Sequence, residues 1–337
     1  MHFKYKLREL KFLIESLSLK RLHSLVAGVI SGKLSQLVSR PVVWGLPYAC
    51  SIEPTTRCNL KCPECPTGLG LIKRDKGDLS LTDFKNRLDS IASHTSYLTL
   101  YLQGEPFLNR DLPAMIKYAS HHRIFTCLST NGHFMNEKNA VEIIDAELKK
   151  IIISLDGTNQ KTYEQYRKNG NFEKVTDGIK TLVEIRKKSK ATNPLIVIQF
   201  IVFRGNQHET EDIKKLGKRL GADKVEIKTA QHYNLDSDND LITTINKYNR
   251  YRLNSEGNWV IKNKIKKGCS RLWTTSVITW DGQLTACCYD KDAEFSFGIV
   301  EKDNFKKLWS SEKFMVLRKA VLFNKQSIEM CRNCGEK

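Results

Sequence analysis

Short apolar runs alternate with longer amphipathic segments along the middle of the chain. A short apolar run bounded by turn residues predicts a buried strand, and apolar residues at intervals of three and four predict a helix. The predicted strands begin at residue 49 and then cover 97–102, 125–129, 151–155, 195–202 and 224–228. The predicted helices cover 80–94, 112–123, 136–147, 172–190 and 210–220. This alternation predicts an α/β fold of parallel strands with helices outside them, in a flat sheet or a barrel.

Polar residues follow the predicted strands at the point where each strand ends. Such runs occupy 103–106, 129–132 and 154–157, after the second, third and fourth strands. Ligands of parallel β/α folds bind at the carboxyl ends of the strands, so we expect a ligand pocket there. Asp156 and Gly157 are predicted to form a plain turn.

The first 44 residues combine basic charge with an amphipathic pattern. They carry eight basic and two acidic residues, and apolar positions recur at helical spacing from Leu7 to Val29. The longest apolar run, 25–30, is far shorter than the roughly 20 residues that span a bilayer. Such helices can make peripheral membrane contact by lying on a lipid surface. The preferred interpretation is a basic helical N-terminal extension, 1–44, that packs on the main domain.

Composition and charge limit the cellular location and the kinds of partner that we expect. The chain has 337 residues, 40% of them hydrophobic, and a net charge of +18. Its ten cysteines follow no signal peptide, which predicts metal-binding thiols in a reducing, cytoplasmic location. The basic residues are scattered without a zinc-finger or RNP signature, so we expect a lysine-rich solvated surface and no nucleic-acid partner. An anionic substrate remains a third explanation of the charge.

Three thiols lie close together in a polar loop directly after the first predicted strand. Cys58, Cys62 and Cys65 have the spacing C-x3-C-x2-C. Thiolates bind iron–sulfur clusters and zinc. Three thiolates would leave one iron of a four-iron cluster open for a substrate or cofactor, whereas a structural zinc site needs a fourth ligand. Only Cys50 is near enough in sequence, and the cluster is therefore preferred.

The stretch EPTTRCNLKCP, from Glu53 to Pro63, resembles the cluster loop of the radical S-adenosylmethionine (SAM) superfamily. The resemblance implies that Cys58, Cys62 and Cys65 bind a [4Fe-4S] cluster whose fourth iron is chelated by SAM. It also implies a partial (β/α)6 barrel of parallel strands, open on one side, over residues 45–230. One departure is Glu64, because the residue before the third cysteine is usually apolar or aromatic in that family.

The same resemblance assigns roles to residues at the strand ends. The run 103–106 is similar to the family's GGEP motif, with Gln103 in place of the first glycine. There the backbone and the acid bind the amino group of SAM, a charge-assisted contact. Other positions of this chain match family residues that contact the ribose or the carboxylate of SAM. The SAM-binding residues implied are Gly104, Glu105, Pro106, Ser129, Asn131 and Ser154.

A second set of four cysteines lies near the C-terminus: Cys269, Cys287, Cys331 and Cys334. Asp281-Gly282 between two strand-like runs predicts a hairpin that precedes Cys287. Four thiolates can hold zinc or a complete [4Fe-4S] cluster. The spacing resembles the twitch domain, a short form of the SPASM domain, which binds one auxiliary [4Fe-4S] cluster. The remaining thiols, Cys50, Cys127 and Cys288, are predicted to be spare or small buried residues.

These patterns predict a polar linker at 231–254, within which 231–240 is the most polar part, and a small C-terminal α+β auxiliary-cluster domain at 255–337. The resemblance implies reductive cleavage of SAM to a 5′-deoxyadenosyl radical and hydrogen abstraction from a small-molecule or peptide substrate. The auxiliary cluster would take an electron back, making the reaction an oxidation, and a reductase such as flavodoxin or ferredoxin would supply the first electron. Peptide-modifying members carry a leader-binding module, for which the first 44 residues look too short. The alternatives are a peptide-modifying maturase and, from a different class, a non-enzymatic electron carrier or a zinc-stabilised binding module.

Overall fold

The computed structural model describes residues 2–233, 235, 239–301 and 304–335. Its α-helices are α1 (His2–Glu15), α2 (Leu19–Val38), α3 (Pro66–Leu69), α4 (Leu81–Ile91), α5 (Leu112–His121), α6 (Glu137–Asp145), α7 (Gln160–Tyr166), α8 (Phe172–Lys188), α9 (Thr210–Arg219), α10 (Arg271–Thr274), α11 (Phe305–Trp309), α12 (Glu312–Asn324) and α13 (Glu329–Arg332). Short 3-10 helices cover Pro106–Leu108, Gln207–Glu209 and Lys325–Ser327.

The strands are β1 (Ala49–Ile52), β2 (Tyr97–Thr99), β3 (Phe125–Thr130), β4 (Lys150–Ser154), β5 (Leu195–Val202), β6 (Lys224–Thr229), β7 (Tyr251–Leu253), β8 (Trp259–Ile261), β9 (Thr275–Ile278) and β10 (Leu284–Thr285). Strand β5 coincides with its predicted range. The other predicted strands and helices differ from the observed elements only at their ends. The patterns missed α7, because a helix of two turns is too short for a clear apolar repeat.

The chain forms two compact units, each assembled from separate stretches of sequence. Unit 1 contains residues 1–9, 58–71 and 129–264. Its strands β4, β5 and β6 are hydrogen-bonded in that order and all run parallel, with Ser154 opposite Gln199 at the end of β4. Strands β7 and β8 form a separate antiparallel pair. The unit 1 core includes β5, where Ile196, Ile198 and Phe200 are fully buried.

Unit 2 contains residues 10–57, 72–128 and 265–337. Its strands lie in the order β10-β9-β1-β2-β3, and β9 to β3 run parallel. Strand β10 returns antiparallel from β9 after the turn at Gly282, whose φ is +93°, so the predicted hairpin is confirmed. Strands that are parallel and separated by helices confirm the predicted α/β class.

Helix ends follow the sequence signals for capping. Ser80, Asn136, Asn159 and Asn171 each precede a helix and accept a backbone N–H with the side-chain oxygen. A cap of this type satisfies a donor that the first turn leaves unpaired, which contributes about 1 kcal/mol. The helices between the strands therefore begin where short polar residues stand.

The N-terminal segment forms α1 and α2. Among the described residues, no helix is long and apolar enough to cross a membrane. In unit 2, the buried guanidinium of Arg21 on α2 donates hydrogen bonds to the carbonyl groups of Ser16, Ala92, His122 and Arg123. Charge-assisted bonds to four carbonyls hold this part of α2 in one orientation.

Candidate cluster and cofactor site

The three-cysteine loop of unit 1 lies against an apolar wall. Cys62 is 5% exposed and belongs to a buried cluster with Leu60, Tyr166 and Phe203. Cys58 and Cys65 are half-buried and pack against the same cluster. The rings of Tyr166 and Phe203 stack with their centroids 5.2 Å apart. The three thiols are therefore partly shielded from water and gathered on one surface.

Nitrogen donors surround two of these sulfur atoms. The backbone N–H of Leu60 lies 3.4 Å from Cys58 Sγ, and the Asn131 amide lies 3.9 Å from the same atom. The Arg167 guanidinium lies 3.8 Å from Cys62 Sγ. Hydrogen bonds to cluster-ligating sulfurs stabilise the thiolate charge and tune the reduction potential.

Gly68 allows the loop to close on itself. Helix α3 begins directly after Cys65, and a Cβ at Gly68 would stand 2.6 Å from the backbone nitrogen of Cys62. Real Cβ atoms do not approach other atoms so closely, so only glycine permits this contact. The glycine thus fixes α3 against the backbone of the second cysteine.

Behind Cys62 lies a buried ion pair between Asp156 and Arg167. The distance from Arg167 Nε to Asp156 Oδ2 is 2.6 Å, and the Asp156 side chain is fully buried. Its other oxygen accepts the Ile201 N–H at 2.6 Å. Burial raises the pKa of Asp156, and the Arg167 cation opposes that shift. The sequence pattern did not reveal this role of Asp156, because its partner at the end of α7 was not recognised.

Glu64, the departure from the family pattern, forms a second buried polar group. Its carboxylate contacts His232 Nδ1 at 2.9 Å and accepts hydrogen bonds from the Tyr233 N–H at 2.6 Å and the Asn239 amide at 3.2 Å. Burial acts to raise the pKa of Glu64, but these hydrogen bonds outweigh it and lower the pKa. His232 and Asn239 are buried although they lie in the stretch predicted to be a polar linker. An acid at a usually apolar position was the signal for this contact.

The predicted SAM-binding residues of unit 1 lie at strand ends. Ser129 is half-buried near the end of β3, and Ser154 is the last residue of β4. Asn131 is 6% exposed; its amide donates to Asn59 Oδ1 at 2.8 Å, and its own Oδ1 accepts the His133 N–H at 3.0 Å. The structure therefore brings Asn131 together with the cysteine loop.

The other predicted SAM-binding residues, Gly104, Glu105 and Pro106, form a tight turn in unit 2. Gly104 has φ +73°, and a Cβ there would stand 2.5 Å from the Thr55 carbonyl oxygen. Glu105 is 1% exposed; its N–H donates to the Arg57 carbonyl at 2.7 Å, and its carboxylate accepts the Phe107 N–H. Only glycine fits at residue 104, which corresponds to the second glycine of the motif that this run resembles.

Unit 2 also contains a buried ion pair that the sequence patterns did not reveal. The Arg74 guanidinium binds both oxygens of Glu53, at 2.5 and 2.7 Å. The Glu53 carboxylate also accepts the N–H groups of Gln103 and Trp280. Burial raises the pKa of Glu53, and Arg74 is the main opposing group. This pair ties the end of β1 to the turn that carries Gly104.

The four C-terminal thiols gather in unit 2. Burial is the main cause that raises the pKa of Cys287, and the neighbouring Cys288, Cys269 and Cys331 thiols add to it. Burial also raises the pKa of Cys331 to about 11, with Cys269 and Cys334 contributing. The thiols of this set therefore lie within electrostatic range of one another. Cys288 accepts a hydrogen bond from Arg271 at 3.5 Å, whereas Cys50 and Cys127 are buried elsewhere in the unit 2 core.

Both cysteine sets fit iron–sulfur clusters by the chemistry of their donors. None of the ten cysteines is joined in a disulfide bond. Within the described ranges, no three His, Cys, Asp or Glu side chains stand close enough to form a ready-made metal group. The fit rests instead on soft sulfur donors in both sets and, for the first loop alone, on a shared apolar surface and N–H groups directed at sulfur.

A fold of parallel strands and helices with a three-thiol loop defines an α/β metalloprotein, and comparison with known proteins gives its family. The family model of the radical SAM superfamily matches residues 52–217, and that of the SPASM iron–sulfur cluster-binding domain matches residues 269–335. The chain belongs to the radical SAM superfamily of enzymes and carries a C-terminal SPASM-type domain. The cofactors of this class are SAM, a SAM-binding [4Fe-4S] cluster and an auxiliary cluster.

Named relatives cover different shares of the chain. PqqA peptide cyclase of Bradyrhizobium diazoefficiens is 27% identical over 193 residues, 56% of this chain and 48% of its own length. The chain thus spans about half the length of this relative. Fe-coproporphyrin III synthase of Methanosarcina barkeri is 23% identical over 87% of this chain and 80% of its own length. The solved structure of native anSMEcpe with bound AdoMet and Cp18Cys peptide has a TM-score of 0.57 and 15% identity, and covers 86% of this chain and 88% of that one. This last likeness supports the fold.

Proposed function

We propose that this protein is a radical SAM oxidoreductase or maturase in which Cys58, Cys62 and Cys65 hold the SAM-binding cluster. The observation that carries the proposal is the three-thiol loop of unit 1, packed on Tyr166 and Phe203. Bound there, the cluster and SAM would supply the family's chemistry, reductive formation of a 5′-deoxyadenosyl radical that abstracts hydrogen from the substrate.

The chain's own residues would prepare this chemistry. The aromatic rings keep water away from the thiolates, which strengthens electrostatic interactions there. Arg167 and the Leu60 N–H donate toward sulfur and so stabilise its negative charge. Glu64 contacts His232 and so helps to fix the conformation of the cysteine loop.

Removing the ligands tests the first step. In anaerobically reconstituted protein, replacing Cys58, Cys62 and Cys65 together by alanine should abolish 5′-deoxyadenosine formation. Cys50→Ala and Cys127→Ala are matched controls, because they remove buried thiols that lie elsewhere, and both should retain cleavage. If the triple variant cleaves SAM at the wild-type rate, the loop is not the cluster site.

The SAM pocket is proposed to include Gly104, Glu105, Pro106, Ser129, Asn131 and Ser154. Glu105→Ala should weaken SAM binding by at least about tenfold, because a charged ammonium group loses its partner. Glu211→Ala removes an exposed carboxylate from α9 and serves as the control. Wild-type affinity in Glu105→Ala would remove this residue from the pocket.

We further propose that Cys269, Cys287, Cys331 and Cys334 bind the auxiliary cluster. Four thiolates saturate four irons, so such a cluster would relay electrons or support the fold rather than bind SAM. Wild-type protein should contain about eight irons, and the triple variant of the first loop about four. One zinc and no iron in that variant would instead identify the C-terminal site as structural zinc.

The named relatives point to two different substrate classes, and an assay can decide between them. Names of relatives support a peptide in one case and an iron porphyrin in the other. Formation of 5′-deoxyadenosine should increase when a substrate of the correct class is added. If the net reaction is an oxidation, the product should be lighter than the substrate by two hydrogens. Four alanines at the C-terminal cysteines should leave SAM cleavage intact but stop this product, and circular dichroism identifies a variant that has merely misfolded.

A further inference from the structure

Helix α2 packs in the opposite sense to an ordinary amphipathic helix. Its buried residues are small or polar: Arg21, Ser24, Ala27, Gly28, Ser31, Gly32 and Ser35. Its large apolar residues are exposed, and Leu22, Val26, Val29, Ile30 and Leu37 are 43%, 46%, 39%, 48% and 82% accessible. A helix that packs on a core normally buries its apolar side and exposes its polar side.

The contacts of the small face fix this orientation. A Cβ at Gly28 would stand 2.8 Å from the carbonyl oxygen of Trp273, and one at Gly32 would stand 3.3 Å from the Trp273 side chain. Trp273 lies in α10 of the same unit and is fully buried. Rotating α2 to bury Val26 or Ile30 would push larger side chains into this space. The packing of the small face on Trp273 therefore leaves the apolar face of α2 exposed.

The exposed apolar side chains of α2 lie on one side of the helix, and the exposed Lys33 falls within the same arc between Ile30 and Leu37. At about 100° per residue, Leu22, Val26, Val29, Ile30 and Leu37 fall within an arc of about 100°, opposite the buried face. The preceding residues Leu10, Ile14, Leu17 and Leu19 are 52%, 58%, 40% and 87% exposed. Single exposed apolar residues are common, but a long stripe of them marks an interaction surface. We call the exposed apolar residues between 10 and 37 the apolar stripe.

The charges around the apolar stripe are almost all positive. Between residues 10 and 44 the exposed charged side chains are Lys11, Lys20, Lys33, Arg40 and Glu15. The single acid, Glu15, lies 3.8 Å from Lys11 and is compensated by it. Lys266 and Lys267 are also exposed, and the next residue, Gly268, packs against Gln36 near the end of α2. Exposed apolar side chains in a segment whose exposed charges are almost all basic are typical of a helix that lies in the surface of an anionic bilayer.

The charge pattern favours lipid over a second copy of the chain. A two-fold dimer through the apolar stripe would place the same lysines opposite one another without acids to pair them. A long lysine side chain such as that of Lys33 can instead extend to lipid headgroups while its methylene groups cover apolar surface. We propose that the apolar stripe docks this protein on the surface of an anionic lipid bilayer, with α2 lying in the plane of the interface.

Vesicle binding by the full reconstituted chain tests the proposal directly. Wild-type protein should sediment with vesicles that contain phosphatidylglycerol and bind much less to vesicles of phosphatidylcholine alone. The double variant V26Q/I30Q should lose at least about tenfold in partitioning, because two apolar side chains no longer enter the interface. The control V316Q/F323Q replaces residues of α12 that are 62% and 53% exposed and should change binding by less than about twofold.

Charge variants separate the electrostatic part. The variant K20Q/K33Q should weaken binding by about fivefold per lysine, and added salt should reduce the difference from the wild type. Circular dichroism and SAM cleavage by V26Q/I30Q confirm that the variant is folded. The proposal is overturned if wild-type protein binds neither vesicle. It is also overturned if V26Q/I30Q binds like the wild type, or if that variant abolishes self-association of a protein that does not bind lipid.

Discussion

The buried pair of Asp156 and Arg167 offers a sharp test of how unit 1 supports its cysteine loop. Replacing Arg167 by methionine keeps the apolar stem and removes the cation. The Asp156 carboxylate would then be fully buried and would keep its hydrogen bond from the Ile201 N–H. Breaking a buried pair by removing one partner costs about 3–5 kcal/mol, because an uncompensated charge stays in a region of low dielectric.

Equilibrium urea unfolding under anaerobic conditions measures this cost. We expect Arg167→Met to lower the free energy of unfolding by about 3–5 kcal/mol and Lys180→Met to leave it almost unchanged. Lys180 is the matched control because it pairs with Asp177 and both side chains are more than half exposed. The same measurement on reconstituted protein reports whether the loss of Arg167 also lowers iron content.

A double-variant cycle decides whether the pair itself is responsible. Asp156→Asn keeps an oxygen for the Ile201 N–H but removes the charge, so the double variant D156N/R167M should be more stable than R167M. The coupling between the two sites should be at least about 2 kcal/mol. Strict additivity, or an Arg167→Met variant within about 1 kcal/mol of the wild type, would refute the reasoning.

Three further predictions concern unit 2. Burial, followed by the charge of Arg21, lowers the pKa of His94 from 6.5 to about 4. The unfolded state therefore binds this proton first as the pH falls. His94 should contribute about 3 kcal/mol of stability above pH 6.5 that is lost by about pH 4, and urea unfolding of His94→Gln should lack this dependence. Gly104→Ala combines positive φ with a Cβ 2.5 Å from the backbone, so we expect a loss of at least about 2 kcal/mol in urea unfolding; a neutral result contradicts the turn geometry. Arg74→Met leaves the Glu53 carboxylate buried and should lower the melting temperature far more than Lys73→Met, whose ammonium group is exposed.

Features that depend on nearby residues were visible in the sequence. Strand β5 coincides with its apolar run, and helices begin at short polar residues, because burial pattern and capping act over a few positions. The two cysteine sets were found by their spacing, because that spacing resembles the cluster-binding patterns of known families. The parallel α/β class followed from the order of these local elements.

Features that depend on distant partners were decided by the tertiary structure. Asp156 lacked a visible partner because α7 was too short to predict, although Arg167 is only 11 residues away. Glu64 and His232 meet across 168 residues, and no local pattern announces such a pair. The orientation of α2 is decided by Trp273, which accepts only small side chains against it. The amphipathic pattern showed that α2 has two faces, but packing in three dimensions determined which face is buried and which is exposed.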